Sequence, residues 1–305
     1  MRSAPSCSRA LATTEALAGG MMARAKVNLY LHVTGRRADG YHELDSLFVR
    51  TDLCDRLALH PAEADSLTVE GPFAAALAGE APEGNLALRA VSAVRGRCGR
   101  SGPVAVTLEK NIPVAAGLGG GSADAAAALR AANTLFDAGL DEAALAELAA
   151  GLGADVPPCL HDMPLAVRGI GDILTPLACL PGFALLLVNP RVALATADVF
   201  RARTGGFSRP APMTTGPGDL DGLVAALAER QNDLEAAAMT LAPAVGEVLE
   251  SLRSLPGARL ARMSGSGATC FALFADLAGA EAGQAALART RPGWWAAATG
   301  VAGTR

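Results

Sequence analysis

Lysine is almost missing from this 305-residue chain: Lys26 and Lys110 stand against 24 arginines. Where a surface cation suffices the chain uses arginine. A lysine kept against that bias marks a place for a compact ammonium rather than a planar guanidinium, such as the side of a transferring phosphoryl group. Retention by coding chance is the alternative. Aromatics are also scarce, at 4% of residues, and the formal net charge is −4. With no basic block and few rings to stack on bases, the composition argues against a nucleic-acid surface. No apolar run approaches the ~18 residues that a membrane span requires. The six cysteines, at positions 7, 54, 98, 159, 179 and 270, form no Cys-x-x-Cys pair and have no histidine cluster beside them. That spacing fits neither a zinc site nor a compact disulfide framework, so thiols in a reducing cytoplasm are expected.

What is present is alanine, leucine, valine and glycine, in a chain long enough for two domains with a mostly aliphatic core. Residues 1–21 differ from the rest. They carry Arg2, Arg9, several Ser and Thr and a single acid, Glu15, and close on Gly19-Gly20. This resembles a transit peptide, or a leader ahead of a start at Met21 or Met22, and is expected to be disordered.

Period-two alternation predicts strands over Val27–Thr34, Leu44–Asp52, Arg56–His60, Ser66–Gly71 and Val104–Leu108. Further strands are expected at Ala184–Asn189, Arg259–Met263, Cys270–Phe274 and Ala296–Val301. Helical periodicity covers Asn85–Arg97, Ser122–Ala138 and a segment capped by Asp141. It recurs at Thr196–Arg203, Leu220–Ala228, Leu241–Leu252 and Ala278–Ala288. Strands and helices alternate irregularly, which points to α+β domains rather than a doubly wound sheet.

The densest chemical signal is the run Pro113-Val114-Ala115-Ala116-Gly117-Leu118-Gly119-Gly120-Gly121-Ser122, with a helix directly behind it. Glycines let backbone N–H groups converge on an anion, and the helix adds its own unpaired N–H groups and positive dipole end. This is an expected phosphate cradle; a flexible turn capping a helix is the bland alternative. The chain has no Gly-Lys-[Ser/Thr], which removes the Walker A class. A dinucleotide fold would place its turn directly after the strand and a third glycine where Ser122 stands. Asp155, on a turn stiffened by Pro157 and Pro158, is a candidate general base or a turn aspartate. Tyr41-His42 offers a ring and a hydrogen-bonding edge that suit a nucleobase, or simple turn packing. Ser264-Gly265-Ser266-Gly267 is a second nest-forming run.

Ile112-Pro113-x-x-x-Gly117-Leu118-Gly119, opening a helix, resembles the central motif of the GHMP kinases. Six further segments extend the resemblance in order: Ala25-Lys26-Val27-Asn28-Leu29, Gly35–Leu44 with Gly40-Tyr41-His42-Glu43, Gly153-Ala154-Asp155-Val156-Pro157, Gly169-x-Gly171-Asp172, Asn232-Asp233-Leu234-Glu235 and Ser264–Ala268. They span about residues 23 to 275. Glycines stand at 120 and 121, where many members have serines, and with them the ordered segments together closely resemble one branch of the family, which implies a cytidyl diphosphate sugar alcohol as acceptor, in isoprenoid synthesis without mevalonate. Ala123 departs from that branch's second serine.

The resemblance implies an α+β two-domain GHMP kinase fold. Residues 22–180 would form a ribosomal-protein-S5-like ATP-binding domain and 181–305 a ferredoxin-like domain. It implies Asp155 as catalytic base and Lys26 as its partner, holding it ionised and lowering the pKa of the acceptor's 2-hydroxyl. ATP would be held by residues 113–122, with Lys110 touching the nucleotide from outside the reacting centre, so that Lys110→Arg should be mild. Asn28, Tyr41, His42, Gly265, Ser266 and Gly267 would bind the acceptor. Mg²⁺ would be held mainly by ATP phosphates and water, with Ser122 within reach and no dedicated metal ligands. His32, His60 and His161 are read as structural or solvated. A homoserine- or mevalonate-type kinase and a non-catalytic sensor on the same fold are the alternatives; a dinucleotide-binding dehydrogenase is more distant.

Overall fold

The computed structural model describes residues 20–79, 81, 84–100, 102–177 and 180–304. Of the leader expected over residues 1–21, residues 1–19 lie outside them, as do the thiols of Cys7 and Cys179, while Met21 already opens the first strand. The chain runs β1 (Met21–Arg36), β2 (His42–Pro61), β3 (Ser66–Glu70), α1 (Leu86–Cys98), β4 (Val104–Glu109), α2 (Gly120–Leu135) and α3 (Glu142–Leu152). A 3₁₀ turn over Pro157–Leu160 leads to β5 (Leu165–Gly169), β6 (Ile173–Pro176) and β7 (Ala184–Asn189). Then come α4 (Thr196–Ala202), α5 (Leu220–Ala228), α6 (Glu235–Leu241) and α7 (Ala244–Arg253). The chain ends with β8 (Leu260–Met263), β9 (Cys270–Phe274), α8 (Leu277–Thr290) and β10 (Trp295–Gly300).

These elements form two compact units that interleave in sequence. The first takes residues 20–23, 54–114 and 120–160; the second takes 24–53, 115–119 and 161–304.

In the first unit the latter half of β2 pairs antiparallel with β4, and β3 pairs parallel with β4. Along β4, Val104, Val106 and Leu108 are buried while Ala105, Thr107 and Glu109 are half-buried. The buried set packs with Val91 and Val94 of α1 and the alanine face of α2. Alanines 125, 128, 131 and 132 are fully buried, and their small side chains let helices approach closely. Asn85 caps α1 by accepting from the Ala87 N–H at 3.0 Å, and Asp141 caps α3 by accepting from Ala144 at 2.8 Å, each satisfying an otherwise orphaned donor.

In the second unit the first half of β2 pairs antiparallel with β5, which pairs with β6. A four-stranded antiparallel sheet follows the order β10-β7-β9-β8. Counted in chain order these strands read 4-1-3-2, with helices between the first and second and between the third and fourth. That is the ferredoxin-like arrangement the resemblance implied. Its core is Leu186, Val188, Val248, Leu249, Leu252 and Phe274 with their neighbours.

Three elements depart from the sequence expectation. Leu44–Asp52 and Arg56–His60 are one continuous strand, β2, because Asp55 is a buried hydrogen-bond acceptor and no turn separates the two segments. The hairpin β5–β6 was not expected, since β6 has four residues and little alternation. The helix expected over Leu241–Leu252 is α7 and starts later, at Ala244, after Ala242-Pro243, and the short α6 before it was not expected.

Candidate active site

In the second unit, β1 carries Lys26 and Asn28 on one face, two residues apart as strand periodicity requires. Lys26 is 7% exposed. Its Nζ donates to Asn28 Oδ1 at 3.0 Å and lies 4.3 Å from the centroid of the Phe48 ring. Asn28 is held in turn. Its Nδ2 donates to Ser46 Oγ at 2.9 Å, and its backbone N–H donates to Ser264 Oγ at 3.1 Å. Ser46 Oγ donates to the Tyr30 carbonyl. An amide whose nitrogen is engaged by Ser46 must present its oxygen to Lys26, so the network sets the direction of the ammonium. Ser46 was missed from sequence, because a lone serine on a buried strand has no motif.

The glycine run reaches the same unit with residues 115–119. The Lys26 N–H donates to the Leu118 carbonyl at 2.9 Å, and Thr269 N–H to the Ala116 carbonyl at 3.3 Å. Gly117 and Gly119 have φ of 75° and 65°. A Cβ at Gly117 would lie 2.5 Å from the Gly267 carbonyl oxygen, and one at Gly119 2.8 Å from Lys26 Cγ. Both positions therefore require glycine on conformation and on space. Ala115 also takes a positive φ, 54°.

Ser264–Gly267 forms the turn between β8 and β9. Asn232 Nδ2 donates to the carbonyls of Met263 and Gly265, each at 2.8 Å, and so holds the two sides of this turn. Ser266 Oγ meets Thr196 Oγ1 at 2.9 Å. A Cβ at Gly265 would come 3.3 Å from Asn28 Oδ1. Within this unit, then, the structure brings together Lys26, Asn28, residues 116–119 and 264–267.

Tyr41 and His42 lie where the chain enters β2. Tyr41 is 60% exposed. The His42 ring stacks on Phe200, centroids 4.9 Å apart and planes at 26°. Burial, then the positive charges of Arg36 and Arg203, push the His42 imidazole below its ordinary range. At neutral pH it is a neutral ring with one donor and one acceptor nitrogen, the form that can read a base edge.

In the first unit, Pro113 and Val114 lead out of the Lys110–Ile112 segment, and Gly120, Gly121 and Ser122 open α2. Gly121 is exposed and Ser122 half-buried. Asp155 is exposed on the turn before Pro157–Leu160, with its carbonyl accepting from Cys159 Sγ at 3.2 Å. Lys110 is placed differently from the expectation of a nucleotide contact. It is 2% exposed, and its Nζ lies 2.5 Å from Asp55 Oδ2 and 2.8 Å from Asp124 Oδ2. Sequence reading missed both aspartates: Asp55 fell in an apparent break between strands, and Asp124 in an alanine-dense helix. Among the described residues no group of three or more His, Cys, Asp or Glu side chains is placed to hold a metal ion, and no helix is long and apolar enough to cross a membrane. His32 is buried, with Nε2 accepting from the Gln231 N–H at 3.2 Å.

The family model described as GHMP kinases N terminal domain matches residues 85–163, and that described as GHMP kinases C terminal matches 216–292. A 4-diphosphocytidyl-2-C-methyl-D-erythritol kinase from Rhodospirillum rubrum is 52% identical over 279 residues, covering 92% of this chain and 91% of the relative. Its counterpart from Paracoccus denitrificans is 52% identical over 282 residues, covering 92% and 96%. A crystal structure of 4-(cytidine 5'-diphospho)-2C-methyl-D-erythritol kinase superposes with a TM-score of 0.77 at 38% identity, covering 92% of this chain and 98% of that one. A homoserine kinase from Cytophaga hutchinsonii superposes with a TM-score of 0.72 at 18% identity, covering 94% and 95%, a likeness of fold alone.

Proposed function

The chain belongs to the 4-diphosphocytidyl-2-C-methyl-D-erythritol kinases, a branch of the GHMP kinases, and from that membership we propose how its own residues carry the reaction. The enzyme transfers the γ-phosphoryl group of ATP to the 2-hydroxyl of 4-diphosphocytidyl-2-C-methyl-D-erythritol, in the non-mevalonate route to isopentenyl diphosphate. Asp155 takes the hydroxyl proton as the alcohol oxygen attacks the γ-phosphorus and ADP leaves. Lys26 supplies a compact positive charge that favours the alkoxide and the ionised carboxylate. Residues 113–122 offer their N–H groups to the phosphates. Asn28 and the 264–267 turn contact the acceptor's sugar-alcohol and phosphate portion, while Tyr41 and His42 receive the cytosine.

The observation that carries this reading is the aim of Lys26. Its ammonium is directed by Asn28, its backbone is tied to Leu118, and its side chain passes where Gly119 has no Cβ. Bound Mg²⁺ would neutralise phosphate charge. The Ser122 hydroxyl, half-buried in the first turn of α2, is the protein group suited to it, and ATP oxygens and water would supply the rest. We place the enzyme in the cytoplasm as a catalyst for small molecules.

An ADP-release assay comparing the cytidyl substrate, mevalonate and homoserine tests the acceptor. Turnover is expected only with the first; comparable turnover with mevalonate or homoserine would overturn the assignment. Asp155→Asn is expected to retain ATP binding by calorimetry and to lose about 10²-fold or more in turnover, the scale of general base catalysis. Near-normal turnover would remove Asp155 from that role.

A further inference from the structure

Three charged side chains are buried together in the first unit: Asp55, Lys110 and Asp124 are 0%, 2% and 4% exposed. Taking charges out of water costs several kcal/mol per ion unless geometry and hydrogen bonding offset it. Their bonds converge on main chain at defined places. Asp55, on β2, accepts from the Asn111 and Ile112 N–H groups through Oδ1, at 2.5 and 2.8 Å, and from Lys110 through Oδ2. Asp124 lies one turn into α2 and accepts the same ammonium. A Cβ added at Gly120 would lie 3.4 Å from Lys110 Nζ and 3.2 Å from Ile112 Cγ2. The cluster thus ties β2, the segment that leads into residues 113–119, and the first turn of the helix that leads out.

We propose that the Lys110–Asp55–Asp124 cluster is a positioning device for the glycine-rich loop, fixing where the backbone enters and leaves residues 113–119 and so setting the loop's grip on the ATP phosphates. The proposal rests on the phosphate-binding reading of that loop. Lysine is required because its single nitrogen fits under Gly120 with two carboxylates at contact distance; a guanidinium spreads three nitrogens over a plane. The charges are consistent with such a closed cluster. Burial foremost, and then Asp55 against the opposing pull of Lys110, raise Asp124 to about 7. Burial lowers Lys110, but Asp124 and Asp55 outweigh it and hold the ammonium above its ordinary range. Asp124 is therefore half-way to a neutral acid at neutral pH, and an amide can stand in for it.

The test compares Asp124→Asn with Asp124→Leu. Both remove the charge and leave the Lys110–Asp55 pair balanced, so both are expected to fold by circular dichroism. Only asparagine keeps an acceptor for Lys110. Asp124→Leu is expected to raise the KM and calorimetric Kd for Mg-ATP by about tenfold, equivalent to ~1.4 kcal/mol, with the KM for the cytidyl acceptor within about twofold. Asp124→Asn should restore ATP affinity to near that of the unaltered enzyme. Equal ATP affinity in the two variants, or parallel rises in both KM values, would overturn the proposal. If Asp124→Leu fails to fold, the conservative Asp124→Glu serves: it lengthens the link from α2 and is expected to raise the ATP KM alone, and no change there would overturn the proposal. Gly121→Val separates the two ideas. Its Cβ would meet only Leu86 Cδ1, at 3.9 Å, so it obstructs the exposed loop face without touching the cluster. If it leaves ATP binding unchanged, the phosphate reading fails; if it blocks ATP while Asp124→Leu does not, only the positioning role fails.

Discussion

Around Lys110, in the first unit, two carboxylates lie 2.5 and 2.8 Å from the ammonium; around Lys26, in the second, an amide oxygen at 3.0 Å and the face of Phe48 at 4.3 Å orient it. Each lysine passes beside a glycine of the run: a Cβ at Gly119 would strike Lys26 Cγ at 2.8 Å, and one at Gly120 would lie 3.4 Å from Lys110 Nζ. Both sites leave narrow room around the lysine side chain. Their uses differ. The charge of Lys110 is enclosed by two aspartates, one of which, Asp55, also binds main chain at Asn111 and Ile112, so it acts on the fold of the loop. The ammonium of Lys26 donates to the Asn28 amide, which Ser46 and Ser264 hold in place.

The comparison breaks most visibly in stability. Lys110→Met would leave two buried carboxylates without their cation, and removing one partner of a buried pair costs about 3–5 kcal/mol. Urea unfolding of Lys110→Met should show a loss of that order; a loss below about 1 kcal/mol would show that the cluster does not hold the fold together. Lys110→Arg, expected from sequence to be mild, should now cost roughly 1–3 kcal/mol through overpacking beneath Gly120.

A second test uses pH. Asp124 binds its proton up to about 7 in the native protein, against 3.8 for an ordinary aspartate. Between those values the folded chain retains a proton that the unfolded chain has released. This group's contribution is therefore full below about 4, is lost as pH rises, and is gone above 7. Asp124→Asn removes the dependence. The difference in unfolding free energy between the unaltered enzyme and Asp124→Asn should shift in the variant's favour from pH 4 to 7, and a pH-independent difference would contradict the raised value.

Lys26→Arg sharpens the other side. The larger planar group displaces the acceptor hydroxyl or the phosphoryl group by an ångström, which can cost ~10²-fold in rate. Turnover should fall by that order; equal and small effects of arginine at both positions would return the two lysines to coding chance. The smallest effect is expected at Ser46. Ser46→Ala frees the Asn28 amide to turn its nitrogen toward Lys26, and losing one such buried hydrogen bond is worth about 1 kcal/mol. Turnover should drop by about fivefold, with Ser46→Thr restoring it. An unaltered rate in Ser46→Ala would show that Asn28 keeps its orientation by other means.

Much of this molecule was legible along the chain. The alternation in Val104–Leu108, the cap at Asp141 and the helix behind the glycine run all depend on near neighbours, and the structure has each of them. The motifs marked Lys26, Asn28 and the turn at 264–267, which the second unit gathers. What escaped was Asp55, read as a break in a strand that continues through it, and Ser46 and Asp124, whose surroundings gave no local signal. The helix Glu235–Leu241 escaped because its seven residues are too few for periodicity to stand out.

Local steric and hydrogen-bonding rules act over a few residues, so residue order alone was enough to set strands, caps, the glycine loop and kinship with a kinase family. Whether a charge is solvated or enclosed depends on atoms brought from elsewhere in the chain. Asp55, Lys110 and Asp124 are separated by 55 and 14 residues along it. Their desolvation and the raised proton affinity of Asp124 exist only once the tertiary fold has excluded water from around them.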